Sequence, residues 1–220
     1  MSSAYFITGT DTGVGKTLVA TAMLRLAEQK GLSTLGLKPV SAGCDLIDAE
    51  WMNDDARDLM LASTTNPTYA NVNPVALRTA MAPHIAAQQE STEIKLAELA
   101  SHCRAQLNNA DFCVVEGAGG WQVPLNDTET MADLAVEIGC PVVLVVGMRL
   151  GCINHALLTA DAIRHTGLTL AGWVANHLDQ TMIAADENVE SLHSRLNAPL
   201  LGRIPALSNP DLAYEYLQLP

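Results

Sequence analysis

The stretch that decides the fold is residues 9–17, which read Gly-Thr-Asp-Thr-Gly-Val-Gly-Lys-Thr. It follows a short apolar segment, residues 4–8, that is typical of a strand. After it, residues 16–30 carry apolar side chains at helical spacing. A strand, a glycine-rich turn and Gly-Lys-Thr at the start of a helix together indicate a phosphate-binding loop. Its backbone N–H groups and the helix N-terminus attract phosphate oxygens, so we expect a nucleotide to bind here.

The glycine spacing of this loop is irregular. The usual pattern is G-x-x-x-x-G-K-[ST], whereas Thr10 stands at the position of the first glycine and Gly9 lies one residue earlier. A tight turn capped by Lys-Thr is the alternative interpretation, and the agreement of strand, loop and helix favours phosphate binding. A related group of ATPases that move or position cargo carries an early lysine where this chain has Asp11. The substitution counts against that group.

Further short apolar runs alternate with helix-like stretches along the chain. The runs cover residues 34–38, 112–115, 142–146, 170–175 and 200–204, and helices are expected at about 54–62, 93–107, 154–165 and 183–196. Continuous apolar strands separated by helices predict a parallel sheet covered on both faces. We therefore expect an α/β, three-layer αβα P-loop NTPase fold with a mostly parallel central sheet, in a single domain over residues 1–220.

Composition and charge restrict the partners. The net charge of −12 over 220 residues disfavours nucleic acid and anionic membranes, since both carry the same sign of charge. No apolar run reaches the roughly 18 residues that a membrane span needs, and no secretory signal precedes the glycine loop. None of the five cysteines forms a C-x-x-C pair. We expect reduced thiols in a cytoplasmic protein.

Three charged residues fall where parallel strands end, which is where ligands bind in such sheets. Glu116 follows the run 112–115 and precedes Gly-Ala-Gly-Gly, so it is either a metal ligand or a charge that ends a strand. Asp55 precedes an apolar helix, and it either supports the start of that helix or binds metal. Lys38 precedes Pro39 and points either into the crevice or to solvent.

Several motifs together resemble the dethiobiotin synthetase family in the expected order over nearly the whole chain. They are Thr8-Gly9-Thr10-Asp11-Thr12 with Val14-Gly15-Lys16-Thr17, Lys38-Pro39-Val40, Val115-Glu116-Gly117-Ala118-Gly119-Gly120, Gly151-Cys152-Ile153-Asn154-His155, Gly172-Trp173-Val174-Ala175-Asn176 and Leu201-Gly202-Arg203-Ile204-Pro205. Any one motif is shared with other P-loop ligases, whereas the ordered set is specific.

The resemblance implies a carbon–nitrogen-forming cyclo-ligase that uses ATP and Mg²⁺. One amine of 7,8-diaminononanoate takes up CO₂ as a carbamate, and ATP phosphorylates that carbamate. The neighbouring amine then attacks, phosphate leaves, and the cyclic urea dethiobiotin forms, one step before biotin. Because an anionic carbamate attacks an anionic phosphate, two lysines and Mg²⁺ are needed to neutralise the crowded charge.

The resemblance also implies a role for each matching residue. Lys16 and Lys38 would be catalytic, and Thr17, Asp55 and Glu116 would hold Mg²⁺. The nucleotide would contact Thr12, Gly13, Val14, Gly15, Lys16, Thr17, Asp55, Glu116, Gly117, Ala118, Gly119, Asn176, His177, Pro205, Ala206 and Leu207. The diamine would contact Ser41 and, across the interface of a homodimer, Gly151, Cys152, Ile153 and Asn154.

Three positions depart from the family pattern. Gly13 stands where many relatives have an acidic residue, Ala42 where they have Ser or Thr, and His177 where some have Asp. None of these changes removes a lysine or a metal ligand, so we expect them to affect affinity and nucleotide preference more than the reaction. The substrate hydroxyl expected at position 42 is either missing or supplied by Ser41.

Two other interpretations remain. A nucleotide-driven positioning switch on the same fold is disfavoured by Asp11 and by the lack of an amphipathic membrane tail or basic patch. A related amide-forming ligase of corrin metabolism would carry an additional glutaminase domain, for which we expect no room in 220 residues.

Overall fold

The computed structural model describes residues 3–178 and 181–220. Its strands are β1 (Ser3–Gly9), β2 (Thr34–Leu37), β3 (Val40–Ala42), β4 (Asp45–Ile47), β5 (Glu50–Met52), β6 (Val75–Leu77), β7 (Phe112–Gly120), β8 (Val142–Met148), β9 (Leu170–His177) and β10 (Leu200–Ile204). The central sheet has the order β10-β9-β8-β1-β7-β2, and every pairing within it is parallel. The expectation of a mostly parallel central sheet is thereby confirmed.

Helices cover both faces of this sheet. They are α1 (Lys16–Gln29), α2 (Asp54–Leu61), α3 (Tyr69–Val72), α4 (Pro83–Gln89), α5 (Leu96–Gln106), α6 (Met131–Ile138), α7 (Cys152–His165) and α8 (Ala185–Arg195). One face packs against α4 to α8, and the other packs against α1 to α3 together with a 3₁₀ helix, Pro210–Tyr216. The three-layer αβα architecture follows, because a parallel sheet must bury both of its faces.

The alternation of side chains along the central strands builds these two cores. In β8, Leu144 and Val146 point to the face covered by α4 to α8, whereas Val143 and Val145 point to the opposite face. Every residue of β8 is buried, which explains why its sequence reads as a continuous apolar run rather than an alternating one.

Several boundaries differ from the sequence prediction. Strand β7 continues through Gly120 instead of ending at Glu116, because β1 shifts register between Ile7 and Gly9 and then pairs Gly9 with Gly120. Helix α7 begins at Cys152 and not at residue 154, since Gly151 adopts a left-handed φ of 95° as its N-cap. Helix α5 begins at Leu96, three residues later than predicted.

The structure also contains elements that the sequence analysis did not predict. Helix α6 starts at a capping box in which Thr130 and Asp133 bond each other's backbone N–H, and the T-x-x-D pattern was the available signal. Strands β4 and β5 form an antiparallel hairpin over residues 45–52, which covers most of the segment 44–51 whose order the sequence did not reveal. None of the helices among the described residues is long and apolar enough to cross a membrane.

Candidate active site

The phosphate-binding loop connects β1 to α1. Thr10 N–H donates to the Val145 carbonyl at 3.0 Å, so Thr10 still belongs to the pairing of β1 with β8. A Cβ on Gly9 would lie 2.5 Å from Val14 Cγ2. The early glycine is therefore required by close packing against the buried Val14, which gives the irregular spacing a structural reason.

The far side of the loop is fixed by Asn176 at the end of β9. Its Nδ2 donates to the Val14 carbonyl at 2.9 Å, and the side chain is almost fully buried. Gly15 is the N-cap of α1 with φ 90°, and a Cβ there would lie 2.2 Å from the same Nδ2. The residue predicted to recognise adenine thus also holds the phosphate loop.

Lys16 folds back over the loop. Its Nζ donates to the Asp11 carbonyl at 3.1 Å, and only 6% of the residue is exposed. Burial lowers the pKa of Lys16, while Glu116 raises it in part. An ammonium that has already lost most of its water interacts strongly with incoming phosphate oxygens.

Lys38 lies between two carboxylates in the floor of the same cleft. Its Nζ is 2.5 Å from Glu116 Oε1 and 2.9 Å from Asp55 Oδ2, and both Lys38 and Glu116 are buried. Burial alone would lower the pKa of Lys38, but Glu116 and Asp55 outweigh it and the pKa is raised. Burial raises the pKa of Glu116, with Lys38 acting in the opposite direction. The sequence left open whether Lys38 points into the crevice or to solvent, and the structure places it in the crevice.

The structure shows which residue caps α2 and which one contacts Lys38. Asn53 is the N-cap of α2, because its side chain accepts from Ala56 N–H. Asp55, in the first turn, reaches Lys38 instead. Burial pushes the pKa of Asp55 up, but Lys38 outweighs this effect and the pKa is lowered.

The oxygens around Lys38 fit Mg²⁺. Thr17 Oγ1 donates to Glu116 Oε1 at 3.0 Å, and Lys38 Nζ donates to Asp55 Oδ2 at 2.9 Å. Glu116 Oε2 is buried without a hydrogen-bond partner among the described residues, so it retains an unused acceptor. Two carboxylates and a hydroxyl are hard oxygen donors of the kind that Mg²⁺ prefers, with substrate phosphates and water completing the shell.

These residues line one cleft of about 740 Å³. Of the predicted site residues, it brings together Thr12, Gly13, Gly15, Lys16, Thr17, Lys38, Ser41, Asp55, Glu116, Ala118 and Gly119. The same cleft is also lined by an apolar wall formed by Ala42, Ala80, Met81, Ala82, Pro83 and Val123, of which the sequence analysis singled out only position 42. These side chains carry no chemistry that a motif search would detect.

The Ser41 hydroxyl is already engaged. It donates to Asn73 Oδ1 at 2.7 Å, and Asn73 Nδ2 in turn donates to the Lys38 carbonyl at 2.6 Å. All three residues are buried. Ser41 therefore supports the backbone at Lys38, and Asn73 is a second supporting residue that the sequence did not indicate.

A second, smaller cavity of about 320 Å³ lies beyond the ends of β9 and β10. It includes His177, Pro205 and Ala206 from the predicted base-binding set, together with Arg203 and Tyr216. Leu207 instead packs against the core on the α1 side of the sheet. Asn176, which bonds to the phosphate loop, directly precedes His177 of this cavity in β9 but does not line it.

The segment from Gly151 to Asn154 lies apart from both cavities. Cys152 is buried, Asn154 is exposed, and the neighbouring Leu150 is 99% exposed. None of the four residues lines either of the two cavities described above. Within one chain, the structure does not bring this predicted substrate segment to the lysines.

Known proteins resemble the chain in sequence and in fold. A family model described as AAA domain matches residues 3–212. The protein named ATP-dependent dethiobiotin synthetase BioD of Cellvibrio japonicus (strain Ueda107) is 57% identical over 218 residues, covering 98% of this chain and 96% of the relative. The protein of the same name from Aromatoleum aromaticum (strain DSM 19018 / LMG 30748 / EbN1) is 52% identical, with coverages of 96% and 93%.

Solved structures support the fold alone. The septum site-determining protein MinD with Mg-ADP from Pyrococcus horikoshii OT3 superposes with a TM-score of 0.58 at 16% identity, covering 94% of this chain and 82% of that one. Chloroplast FtsY from Physcomitrella patens gives 0.57 at 17% identity, with coverages of 96% and 60%. The fold is that of P-loop nucleotide-binding proteins, and the sequence relatives show that this chain belongs to the family of ATP-dependent dethiobiotin synthetases.

Proposed function

We propose that the protein is an Mg²⁺-dependent cyclo-ligase that makes dethiobiotin from 7,8-diaminononanoate, CO₂ and ATP, with ADP and phosphate as the other products. The observation that carries the proposal is the meeting of two buried lysines, Lys16 and Lys38, with Thr17, Asp55 and Glu116 in one cleft. A switch that only binds nucleotide needs the loop lysine, whereas a second buried lysine beside the phosphate site suits transfer to an anionic acceptor.

The reaction balances in three steps. An amine of the substrate adds to CO₂, giving a carbamate and a proton. A carbamate oxygen then bonds to the γ-phosphorus as the bond to the β–γ bridging oxygen breaks, which releases ADP. The second amine attacks the carbamoyl carbon, phosphate leaves with the C–O bond electrons, and a proton is released as the cyclic urea closes.

The residues of the chain neutralise charge and fix geometry during these steps. Lys16 would move from the Asp11 carbonyl to the β and γ phosphates. Lys38 would orient the carbamate against the γ-phosphate, and its positive charge would favour the neutral, nucleophilic form of a nearby amine. Thr17, Asp55 and Glu116 would hold Mg²⁺, which supplies positive charge to the triphosphate when bound.

The remaining predicted residues would bind the adenine base, the phosphates and the diamine. Asn176 and His177 with Pro205, Ala206 and Leu207 would receive the adenine base, and of these His177, Pro205 and Ala206 line the smaller cavity. The phosphates would lie along Thr12 to Thr17 and Gly117 to Gly119. Ser41 and the apolar wall would contact the diamine beside Lys38.

The diamine's carboxylate would bind at the N-terminus of α7 in a partner subunit, at Gly151, Cys152, Ile153 and Asn154. A helix N-terminus suits a carboxylate, and none of these four residues lines either of the two cavities described in its own chain. We therefore propose a homodimer. We also propose that each subunit is a single domain and that the protein is cytoplasmic.

Mixed dimers test whether the sites are shared. When Lys16→Ala chains are paired with chains that carry Asn154→Ala and Gly151→Ala, part of the activity should return, and no recovery in purified mixed dimers would contradict shared sites.

The reaction is tested by ADP release with Mg²⁺-ATP, bicarbonate and 7,8-diaminononanoate, omitting each component in turn. Turnover should require all of them, and one dethiobiotin should appear for each ADP. Turnover that is indifferent to the diamine would favour a nucleotide-driven switch and contradict the ligase.

A further inference from the structure

The phosphate loop carries a negative charge of its own, which opposes the binding of a triphosphate. Asp11 lies between the strand end and Thr12, a residue that lines the cleft. Its Oδ1 accepts from Thr12 N–H at 2.7 Å, and its carbonyl accepts from Lys16 Nζ at 3.1 Å. The pKa of Asp11 is lowered by the Thr12 N–H, by Arg149 and, in part, by His155, whereas burial raises it. The carboxylate is therefore ionised near neutral pH.

Arg149 supplies the compensating charge. It directly follows β8, which lies beside β1 in the sheet, so the two strand ends bring Arg149 and Asp11 to the same edge. Arg149 Nη2 forms an ion pair with Asp11 Oδ2 across 138 residues of sequence. The same arginine opens the turn into α7, because its carbonyl accepts from Cys152 N–H at 3.0 Å.

We propose that Arg149 is a positioning residue with two separable effects: it neutralises Asp11 for the triphosphate, and it holds residues 149–154 against the phosphate loop. The second effect rests on the proposed function, since it concerns the segment assigned to the diamine's carboxylate. The first effect concerns nucleotide binding only and holds for any nucleotide-binding activity of this loop.

The two effects give different results in a double-mutant cycle. Arg149→Ala leaves the Asp11 carboxylate uncompensated beside a polyanion, so the affinity for a non-hydrolysable ATP analogue should fall about 3- to 10-fold. Asp11→Asn removes the repulsive charge and should not weaken this binding. The double variant Asp11→Asn, Arg149→Ala should return to within about 2-fold of the unmodified protein, because the repulsion is absent again.

The diamine should respond in another pattern. All three variants lose the ion pair that anchors residues 149–154, so the KM for 7,8-diaminononanoate at saturating ATP should rise in each of them by roughly the same factor. Arg149→Lys keeps the positive charge and should keep the ATP-analogue affinity while it raises the diamine KM, since lysine lacks the planar fork of arginine.

The experiment combines calorimetric titration of the ATP analogue with steady-state kinetics on the intact protein. The matched control is Arg104→Ala, which breaks an ion pair with Glu137 on α5 and α6, outside the cleft. The side chains of this pair are 45% and 51% exposed, close to the 44% and 49% of Arg149 and Asp11. Thermal unfolding of each variant identifies any that fail to fold, in which case Arg149→Lys and Asp11→Asn decide the outcome.

Three results would overturn the inference. Unchanged analogue affinity in Arg149→Ala would contradict the neutralising effect, as would a double variant as weak as Arg149→Ala. An unchanged diamine KM in a well-folded Arg149→Ala would contradict the anchoring effect. If the unmodified protein binds the analogue but shows no diamine-dependent ADP release, the ligase assignment fails, while the titration still decides the role of Arg149 at the loop.

Discussion

Removing Lys38 should destabilise the metal-free protein, and Mg²⁺ should offset much of the loss. The change Lys38→Ala leaves Glu116, which is fully buried, without its ammonium partner at 2.5 Å. Breaking a buried ion pair on one side costs about 3–5 kcal/mol. Glu116 can instead enter the core protonated. Holding a carboxyl of ordinary pKa, about 4.3–4.5, in its neutral form at pH 7 costs about 3–4 kcal/mol. The two values agree.

The pH dependence follows from the same carboxyl. Because Lys38 has a raised pKa, its stabilising effect is fully present below its unfolded pKa and is lost only as pH rises through the higher folded value, so it stays charged between pH 5 and 7. For the buried Glu116 of the variant, the cost of protonation falls to about 1 kcal/mol or less at pH 5. The deficit of Lys38→Ala should therefore shrink on acidification.

The assay is thermal unfolding in EDTA and in Mg²⁺ at pH 7 and pH 5. In EDTA at pH 7 the Tm of Lys38→Ala should fall by roughly 6–16 °C for a chain of this size. Mg²⁺ should raise the Tm of the variant more than that of the unmodified protein, since it supplies the missing positive charge. Lys95→Ala is the control, because Lys95 also pairs with carboxylates but is exposed, and its removal should change little.

The reasoning would be refuted if Lys38→Ala kept the unmodified Tm in EDTA at pH 7. It would also be refuted if the added change Glu116→Gln failed to recover most of the lost stability, because a neutral amide removes the unpaired charge. Catalysis gives an independent check, since the variant should lose turnover by about 10³-fold or more while it still binds the ATP analogue.

Two further predictions concern the loop and the cysteines. Gly15→Ala should abolish ATP-analogue binding in calorimetry, because the new Cβ would lie 2.2 Å from Asn176 Nδ2 at a φ of 90°. The control Gly13→Ala has a φ of 73° but open space around the new Cβ, so it should cause a smaller loss of binding. Equal losses in the two variants would count against the clash. Burial raises the pKa of Cys103 and Cys113 to about 12, so the thiolate at pH 8 is only about 10⁻⁴ of each and a disulfide reagent should label them rapidly only in denaturant. Fast labelling of either one in the folded protein, mapped by mass spectrometry, would contradict their burial.

The sequence predicted the elements that carry a strong local signal. The continuous apolar runs located all six strands of the central sheet, because a strand buried on both faces admits few other residues. The role of Asp55 was left open, since helix caps and metal ligands use the same residue types. In the structure Asn53 caps the helix, and Asp55 pairs with Lys38 instead.

Other parts of the site had no local signal. The apolar wall around Met81 draws ordinary residues from several places in the chain, most of them just before and at the start of α4, so only the folded chain shows that it lines the same cleft as Lys38. The partnership of Arg149 with Asp11 joins residues that are far apart in sequence. Which residues bind nucleotide, diamine and metal stays a prediction until those ligands are measured.

In the proposed nucleotide site Asn176 lies at the base end, and its hydrogen bond to the Val14 carbonyl couples that end to the phosphate loop. Anything that pushes on Asn176 from the base side also moves the loop that aims the γ-phosphate. A nucleotide with the wrong base would therefore be placed slightly out of line as well as held less tightly. Discrimination among nucleotides should then appear in the rate of phosphoryl transfer at saturation, and not only in the concentration needed to fill the site.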